Sequence, residues 1–525
     1  MSRPETVYDA LIVGFGPVGA TLANLLARAG LSIAVAEAAR EIYDKPRAIT
    51  MDHEVMRVFQ ACGLADRIAP HTTPHPGTHY LGVDGRVIKK FDPLPPPAPL
   101  GWPPTATFVQ PEIEAALRAG VADNPKVDIF LGEAATAFAA ERDRVALTVG
   151  DGRRLEGRYL IGCDGANSFV RKRLGVALED LAFDEWWMVV DVRLREPVEL
   201  PAKCIQYCWP ARPATYLPGP GTLRRWEIKM LPGENPEAFG RAENVRALLA
   251  CFVDPERVDI WRSAVYRFHA LLAERWRRGR VFLAGDACHQ TPPFLGQGMC
   301  AGIRDAANLA WKLQMVLQDG AADRLLDSYE AERKPHVRTL VATAKEFGLI
   351  IGELDPEAAW RRDERLSDQL ARGEAETIRQ RFIPDLAAGV IDRDPKARGA
   401  GALFVQPRIA RPDGATILLD DLVGATFLLV TASAEAQGWL TPDSAAQWRR
   451  LHGERLVVRQ PGDAAAPHGA DVRDLVETEG LFAGWAREQG CAAVLVRPDR
   501  YVYGLAGDAA ALNRLVAEAH DQIFG

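Results

Sequence analysis

Gly14, Gly16 and Gly19 stand between two apolar runs, Ala10 to Val13 and Ile33 to Ala36, and the second run ends on Glu37. The order reads as strand, tight turn, helix, strand, and these residue types at this spacing make a phosphate site. Gly14 lets the chain turn, Gly16 lets the backbone approach a pyrophosphate, and Gly19 lets helix pack on strand. The helix that opens at Pro17 points its N-terminus at the anion. Glu37 falls at the offset of roughly 20 residues where an acid takes a ribose hydroxyl. The stretch accepts the adenosine diphosphate of NAD(P) or of FAD alike.

Two later stretches carry compatible chemistry. In Tyr159 to Arg171 an apolar strand delivers Asp164 to a Gly165 turn before a basic helix. In Gly279 to Met299 a strand ends in Gly285-Asp286, and a loop containing Pro292-Pro293 and Gly296-Gln297-Gly298-Met299 opens a long helix. A carboxylate at a strand's end suits a ribitol or ribose hydroxyl, and bare N–H groups at a helix N-terminus suit an oxyanion or an electron-rich ring edge. Asp164 and Asp286 also stand where they could cap the helices that follow.

These groups need an α/β scaffold to bring them together. Segments 127–131, 145–149, 158–162 and Arg280 to Ala284 read as strands, and Gly302 to Leu317 as an amphipathic helix. Asp92 to Pro104 is a proline-rich surface loop, and a helix with Pro111 near its N-terminus follows it. Between about 180 and 275 the pattern turns to alternating, aromatic-rich stretches with Pro/Gly turns, the mark of an antiparallel sheet. Residues 321–390 are charged and helix-rich; a boundary at Asp394 to Gly401 precedes a small α/β unit with strands at Thr426 to Val430 and Ala493 to Val496 and a helix from Ala509 to His520. The expected domains are 1–180 and 276–395 for the nucleotide, interrupted by a sheet at 181–275, and a C-terminal unit at 401–525.

Bulk properties narrow the class. The 525 residues exceed one core, and about one domain per ~150 residues gives two to four. A net charge of −7 argues against a nucleic-acid partner. The first apolar stretch is the glycine motif rather than a signal peptide, and no apolar run nears the roughly 20 residues of a membrane span, so a cytoplasmic protein without a membrane partner is expected. Its 8 cysteines form no CxxC pair, which argues against a disulfide framework and against a metal site, including at Cys204 and Cys208.

In this order and at these distances the three motifs resemble those of the single-component, FAD-dependent aromatic hydroxylases, the group A flavoprotein monooxygenases, over roughly residues 5–345. Within that group, KPRAITMDHEVMRVFQACGL, PPFLGQGMCAGIRDAANLAWKL and VRPDRYVYG are most similar to the 3-(3-hydroxyphenyl)propionate hydroxylases and their relatives acting on substituted phenols. The resemblance implies a Rossmann-like FAD-binding domain of the p-hydroxybenzoate hydroxylase-like kind, an inserted antiparallel substrate sheet and a thioredoxin-like C-terminal domain. That last domain holds only Cys491, which disfavours disulfide exchange and leaves packing or homo-oligomerisation.

By the same resemblance, Gly14, Gly16, Pro17 and Gly19 hold the pyrophosphate, Glu37 the adenosine ribose, and Arg47 and Gln110 lie along FAD. Gly285 and Asp286 bind the ribitol side, and Asp164 serves both FAD and the nicotinamide nucleotide. Pro293, Gly296, Gly298 and Met299 line the flavin ring, with Pro293 near the substrate. The implied reaction is NAD(P)H-driven, O₂-dependent hydroxylation of a phenol ortho to its hydroxyl through a flavin C4a-hydroperoxide, with NADH favoured over NADPH. A tailoring or inactivating monooxygenase of a polyketide or antibiotic shares every motif, and a redox-regulatory flavoprotein is the reading from another class.

The catalytic base is less legible. His53, with Asp52, follows Arg47 closely enough for a loop to reach the flavin, and Asp52 alternatively caps a helix. His289 reads as a structural histidine. Trp186, Trp187, Tyr207, Trp209 and Trp226 lie in the expected sheet as a roof over the substrate or as core.

Overall fold

The computed structural model describes residues 7–394, 397–463 and 469–525. β1 (Val7–Val13) and β2 (Ile33–Glu37) flank helix α1 (Pro17–Arg28), and β3 (Val127–Leu131), β4 (Arg153–Gly162) and β5 (Val281–Leu283) complete a parallel run in the order β5-β4-β1-β2-β3. Ala10 to Val13 and Ile33 to Ala36 are buried, as strands covered on both faces must be. Although β5 lies more than a hundred residues beyond β4, it pairs directly with it, so the nucleotide fold is interrupted in sequence as expected. Strands Ala135–Ala140 and Val145–Val149 extend β4 antiparallel.

Around this sheet lie α2 (His53–Ala61), α3 (Phe169–Leu174), α4 (Gly298–Gln318) and α5 (Asp327–Gly352). α4 starts four residues earlier than its apolar periodicity indicates, because Gly298 and Gly302 carry no side chain to mark a face. Gly302 instead permits close packing: a methyl there would stand 2.6 Å from Val18 and 3.0 Å from the Gly285 Cα.

Among the described residues the second sheet has eight strands, ordered His289–Gln290, Val258–Ala273, Leu178–Leu194, Leu223–Lys229, Ala214–Pro218, Cys204–Tyr207, Thr78–Leu81, Val87–Phe91. This corrects the expected span of 181–275 and the expectation of a wholly antiparallel sheet. Thr78–Leu81 and Val87–Phe91 come from the first segment, and Cys204–Tyr207 pairs parallel with Thr78–Leu81. Strands of four and five residues announce no distant partner.

The two faces of this sheet differ. Met188, Val190, Val192, Trp226 and Ile228 form an apolar core with Phe239, Val245 and Leu249. The alternate residues pair in register as Trp187 with Lys229, Val189 with Glu227 and Asp191 with Arg225, and they face the first domain. Strand period two thus divides a packed face from a polar one.

In the C-terminal unit a five-stranded sheet runs Val472–Val476, Glu454–Arg459, Leu428–Thr431, Ala493–Val496, Val502–Ala506, with the first three parallel and the rest antiparallel. Of the expected boundary, Pro395 and Lys396 lie outside the described residues. The chain before it is already tied to this unit, since Asp392 N–H donates to the Tyr503 carbonyl at 2.8 Å and Leu386 N–H to the Gly401 carbonyl at 2.9 Å.

A buried ionic joint binds the unit to α4 and α5. Arg497 meets Glu332 and Asp499, each at 2.7 Å, Lys312 meets Glu332 at 2.8 Å, and Trp311 donates to Asp499 at 3.0 Å. Burial alone would raise Glu332, but the Arg497 and Lys312 charges hold its carboxyl at about 2. Among the described residues no helix is long and apolar enough to cross a membrane.

Candidate functional site

The glycine turn is built as its spacing requires. Gly14 has φ +99°, and a methyl there would lie 2.4 Å from the Cys163 carbonyl oxygen; at Gly19 it would lie 2.0 Å from the Gly14 oxygen. Gly16 is different, because a methyl there would meet no protein atom within 4 Å. That open side adjoins the N-terminus of α1, where Gly16 is the N-cap and neither a side-chain cap nor a first-turn acid is present. The free N–H groups and the helix dipole suit a pyrophosphate.

Glu37 accepts from Phe15 N–H at 2.7 Å and Ala39 N–H at 2.9 Å, which sets the carboxylate at the mouth of the turn. Gln110 Oε1 accepts from the N–H groups of Arg47 and Ala48 at 2.9 and 2.7 Å, so it shapes the backbone that presents Arg47. The second sheet clamps the same turn: Arg225 donates to the Arg47 carbonyl at 2.8 Å and Arg262 to the Pro46 carbonyl at 2.6 Å, while Asp191 pairs with Arg225 at 2.7 Å.

At the end of β5, Gly285 has φ +62°. The Asp286 side chain is open to solvent. Burial raises its carboxyl pKa, with His289 and Arg47 opposing. Asp305, within α4, locks this turn: it accepts Gly285 N–H at 3.0 Å, lies 2.7 Å from His289 Nε2 and pairs with Arg333 at 2.9 Å. Cys288, His289 and Asp305 bring ligand atoms within 4.8 Å of one another. With Asp305 already engaged by Arg333 and backbone, and the Cys288 thiol pushed up by burial, the set serves the turn rather than a cation.

Asp164 takes the capping geometry. Its oxygens accept from the Ser168 hydroxyl at 2.5 Å and Val170 N–H at 3.0 Å at the start of α3. Arg171 of that helix donates to the Ala287 carbonyl at 2.9 Å, which ties the Asp164 turn to the Asp286 turn.

Pro293 opens a short 3-10 turn, and Gly296 (φ +59°) is pressed by Thr50 and Arg379, a methyl there lying 2.3 and 2.4 Å from their side chains. α4 then begins with no side-chain cap and no first-turn acid, and a methyl at Gly298 would meet nothing within 4 Å. Gln297 is held from behind, donating to Asp52 at 3.0 Å and accepting from Arg304 at 2.8 Å. Arg304 also pairs with Asp52 at 2.5 Å and with Glu54, which accepts from the Tyr501 hydroxyl at 2.8 Å.

This arrangement changes the reading of Asp52 and His53. Asp52 caps α2 through Glu54 and Val55 N–H, each at 3.2 Å, and although burial opposes it, the Arg304 charge keeps its carboxyl below the usual range. His53 is buried, held down at about 4, with Asp52, Arg304 and Arg57 as its charged neighbours and an unpartnered Nδ1. Asp52 thus takes the capping alternative at the start of α2, and both side chains are buried.

The loop packs against the polar sheet face through Phe294. Trp187 meets Phe294 edge-on at 5.1 Å, and Phe183 and Phe268 complete the contact with Phe294 at 5.9 Å. Of the five rings expected in the sheet as roof or core, Trp187 is fully buried in the core; Trp226 packs on Tyr216 on the far face, Tyr207 packs on Trp209, and Trp186 is exposed beside Arg267. Glu227 lies between the Arg225 end and the Trp187 end of this face, and burial raises its carboxyl pKa against the pull of Arg225. Glu227, Arg379, Asp305 and Arg304 were not singled out from sequence. Only the last two carried a signal, as adjacent charges inside an apolar helix.

Residues 7–344 match a family model described as an FAD binding domain, and residues 401–522 one described as the HcaD C-terminal domain. The chain is 33% identical over 510 residues to a 3-(3-hydroxy-phenyl)propionate/3-hydroxycinnamic acid hydroxylase of Escherichia coli (strain K12), covering 94% of this chain and 90% of that one. It is 33% identical over 575 residues to the enzyme of the same name from Comamonas testosteroni, covering 97% and 96%. Among solved structures it is similar to the flavin-dependent monooxygenase PieE in complex with FAD and substrate (TM-score 0.79, 22% identity, 99% and 100% of the chains). It is likewise similar to aklavinone-11 hydroxylase with FAD and aklavinone (TM-score 0.76, 23% identity, 99% and 100%).

Proposed function

Because the chain belongs to the FAD-dependent aromatic hydroxylases, we propose that it uses NAD(P)H and O₂ to hydroxylate a phenol bearing a short acidic side chain, ortho to the ring hydroxyl. The observation that carries this reading is the pair of open helix N-termini at Gly16 and Gly298, on two helices that pack together where Val18 meets Gly302 and Gly285. The open side of Gly16, the uncapped N–H groups and the accessible Asp286 carboxylate fit FAD. When bound, FAD accepts a hydride equivalent and activates O₂.

In this reading Gly14, Gly16, Pro17 and Gly19 cradle the pyrophosphate, Glu37 takes the adenosine ribose, and Gln110 holds Arg47 along the cofactor. Gly285 and Asp286 serve the ribitol. Asp164 acts through α3, whose start it caps. Gly296, Gly298 and Met299 border the ring, their N–H groups favouring negative charge at its edge. The substrate lies between Pro293 and the sheet face. Glu227 accepts the phenol proton there, since burial raises its carboxyl pKa and so makes its carboxylate the more basic. Residues 1–180 and 276–395 form the FAD domain, 181–275 with 78–91 the substrate domain, and 401–525 a thioredoxin-like unit for packing or homo-oligomerisation in the cytoplasm.

The test is a panel of meta-substituted phenols under ¹⁸O₂. A phenol that stimulates NAD(P)H oxidation should yield a product heavier by one labelled oxygen. Stimulated oxidation with no oxygenated product from any phenol would remove the hydroxylase reading in favour of a redox-regulatory flavoprotein.

The carboxylates make a separate prediction. Asp286→Ala should bind FAD about ten- to a hundredfold more weakly, the range for a hydrogen bond to a charged group. Asp164→Ala should lose less FAD affinity but melt earlier, because Ser168 and Val170 lose their acceptor. Flavin fluorescence titration and thermal melts separate the two; equal FAD affinity in both variants and wild type would remove the Asp286 role.

A further inference from the structure

Arg379 stands at the flavin-facing loop with its charge unmatched. Its guanidinium donates to the Leu295 carbonyl, and it is close enough to Gly296 that a methyl there would lie 2.4 Å from its Nη2. Three guanidiniums nearby have acid partners: Arg225 has Asp191, Arg304 has Asp52 and Glu54, and Arg333 has Asp305. Among the described residues Arg379 pairs with no carboxylate, although it is half-buried. A cation partly removed from water without a counter-charge is costly unless an anion joins it.

The position is firmly built. Gln380 donates to the Pro104 carbonyl at 2.8 Å and the Thr105 hydroxyl at 2.9 Å, and Asp92 N–H donates to the Thr377 carbonyl at 2.9 Å. Phe382 packs on Phe91 and Phe347 at 5.6 and 5.2 Å. Nearby His75 is held neutral by burial, its pKa down at about 3, so it adds no charge of its own. Cys204, on the polar sheet face, lies close enough to feel both the Arg379 and the Glu227 charges, so the two groups share one neighbourhood on that face.

We propose that Arg379 is a specificity-determining residue that holds the carboxylate of the substrate's side chain while Glu227 faces its ring hydroxyl. This rests on the hydroxylase reading above. Two parallel N–H donors of a guanidinium match a carboxylate in charge and spacing, and a neutral amide of the same shape accepts only one such bond without the charge.

The experiment compares a 3-hydroxyphenyl alkanoic acid with its carboxamide, in the FAD-loaded wild type, Arg379→Lys and Arg379→Met. Substrate affinity is measured by equilibrium dialysis and turnover by labelled product. In the wild type the acid should bind about ten- to a hundredfold more tightly than the amide. Arg379→Met should abolish that preference by weakening the acid alone, and Arg379→Lys should restore part of it. Flavin content and melting temperature report whether the variants fold. Equal wild-type affinity for acid and amide, with both hydroxylated, overturns the role of Arg379 and leaves the hydroxylase reading standing. Equal weakening of both ligands by Arg379→Met also overturns it, since the guanidinium then serves the loop or the ring. If the wild type binds both compounds and hydroxylates neither, the hydroxylase reading itself fails.

Discussion

Deleting the ring hydroxyl from a phenol that this protein hydroxylates is expected to lower oxygen incorporation by roughly 10⁴, the discrimination a site achieves when it is built to hydrogen-bond a hydroxyl that is missing. The physical source is the polar sheet face. Glu227 is buried there, with Arg225 as its nearest opposing charge at 3.9 Å, and its carboxyl is raised by loss of water. A ring that brings a hydroxyl gives this carboxylate a donor and passes it a proton; a ring without one offers it no donor. The aromatic contacts of Trp187 and Phe294 would hold both rings alike, so shape cannot rescue the analogue. The measurement is ¹⁸O from ¹⁸O₂ in the products of the phenol and its deoxy counterpart. Equal labelling of the two would remove the phenol reading and point to a Baeyer–Villiger or epoxidising activity.

Gly16→Ala is expected to leave the fold intact and weaken FAD by roughly a hundredfold or more, the loss that follows when a charged ligand is pushed off its N–H donors. The backbone at Gly16 has φ −71°, which any residue adopts, and the added methyl meets no protein atom within 4 Å. It projects into the open side beside the N-terminus of α1, where the pyrophosphate must approach the backbone. Gly14→Ala is the contrasting variant. Its φ of +99° and the Cys163 oxygen 2.4 Å from the new methyl should prevent correct folding whether or not FAD is supplied. Thermal melts of the two apoproteins and FAD titration of Gly16→Ala separate the effects. Wild-type FAD affinity in a folded Gly16→Ala protein would sink the assignment of that open side.

What sequence by itself determined here is local. The strand, turn, helix and strand from Val7 to Glu37 are legible because apolar runs, a glycine turn and a terminal acid lie within one βαβ unit. Strands 127–131, 145–149 and Ala493–Val496 coincide with their patterns for the same reason. Tertiary structure decided what depends on partners far apart in the chain. Thr78–Leu81 pairs with Cys204–Tyr207, more than a hundred residues later, and a four-residue run carries no mark of the strand it will meet. Tyr501 reaches Glu54 across 447 positions, and Arg379 reaches Leu295 across 84. Asp52 shows the distinction within one residue: its capping role follows from the helix beside it, whereas its engagement by Arg304 and Gln297 exists only once α4 has packed against α2. Periodicity reports which face a residue turns inward, but the charge that will meet it there is set by closure of the chain over long separations, and short-range pattern does not encode that.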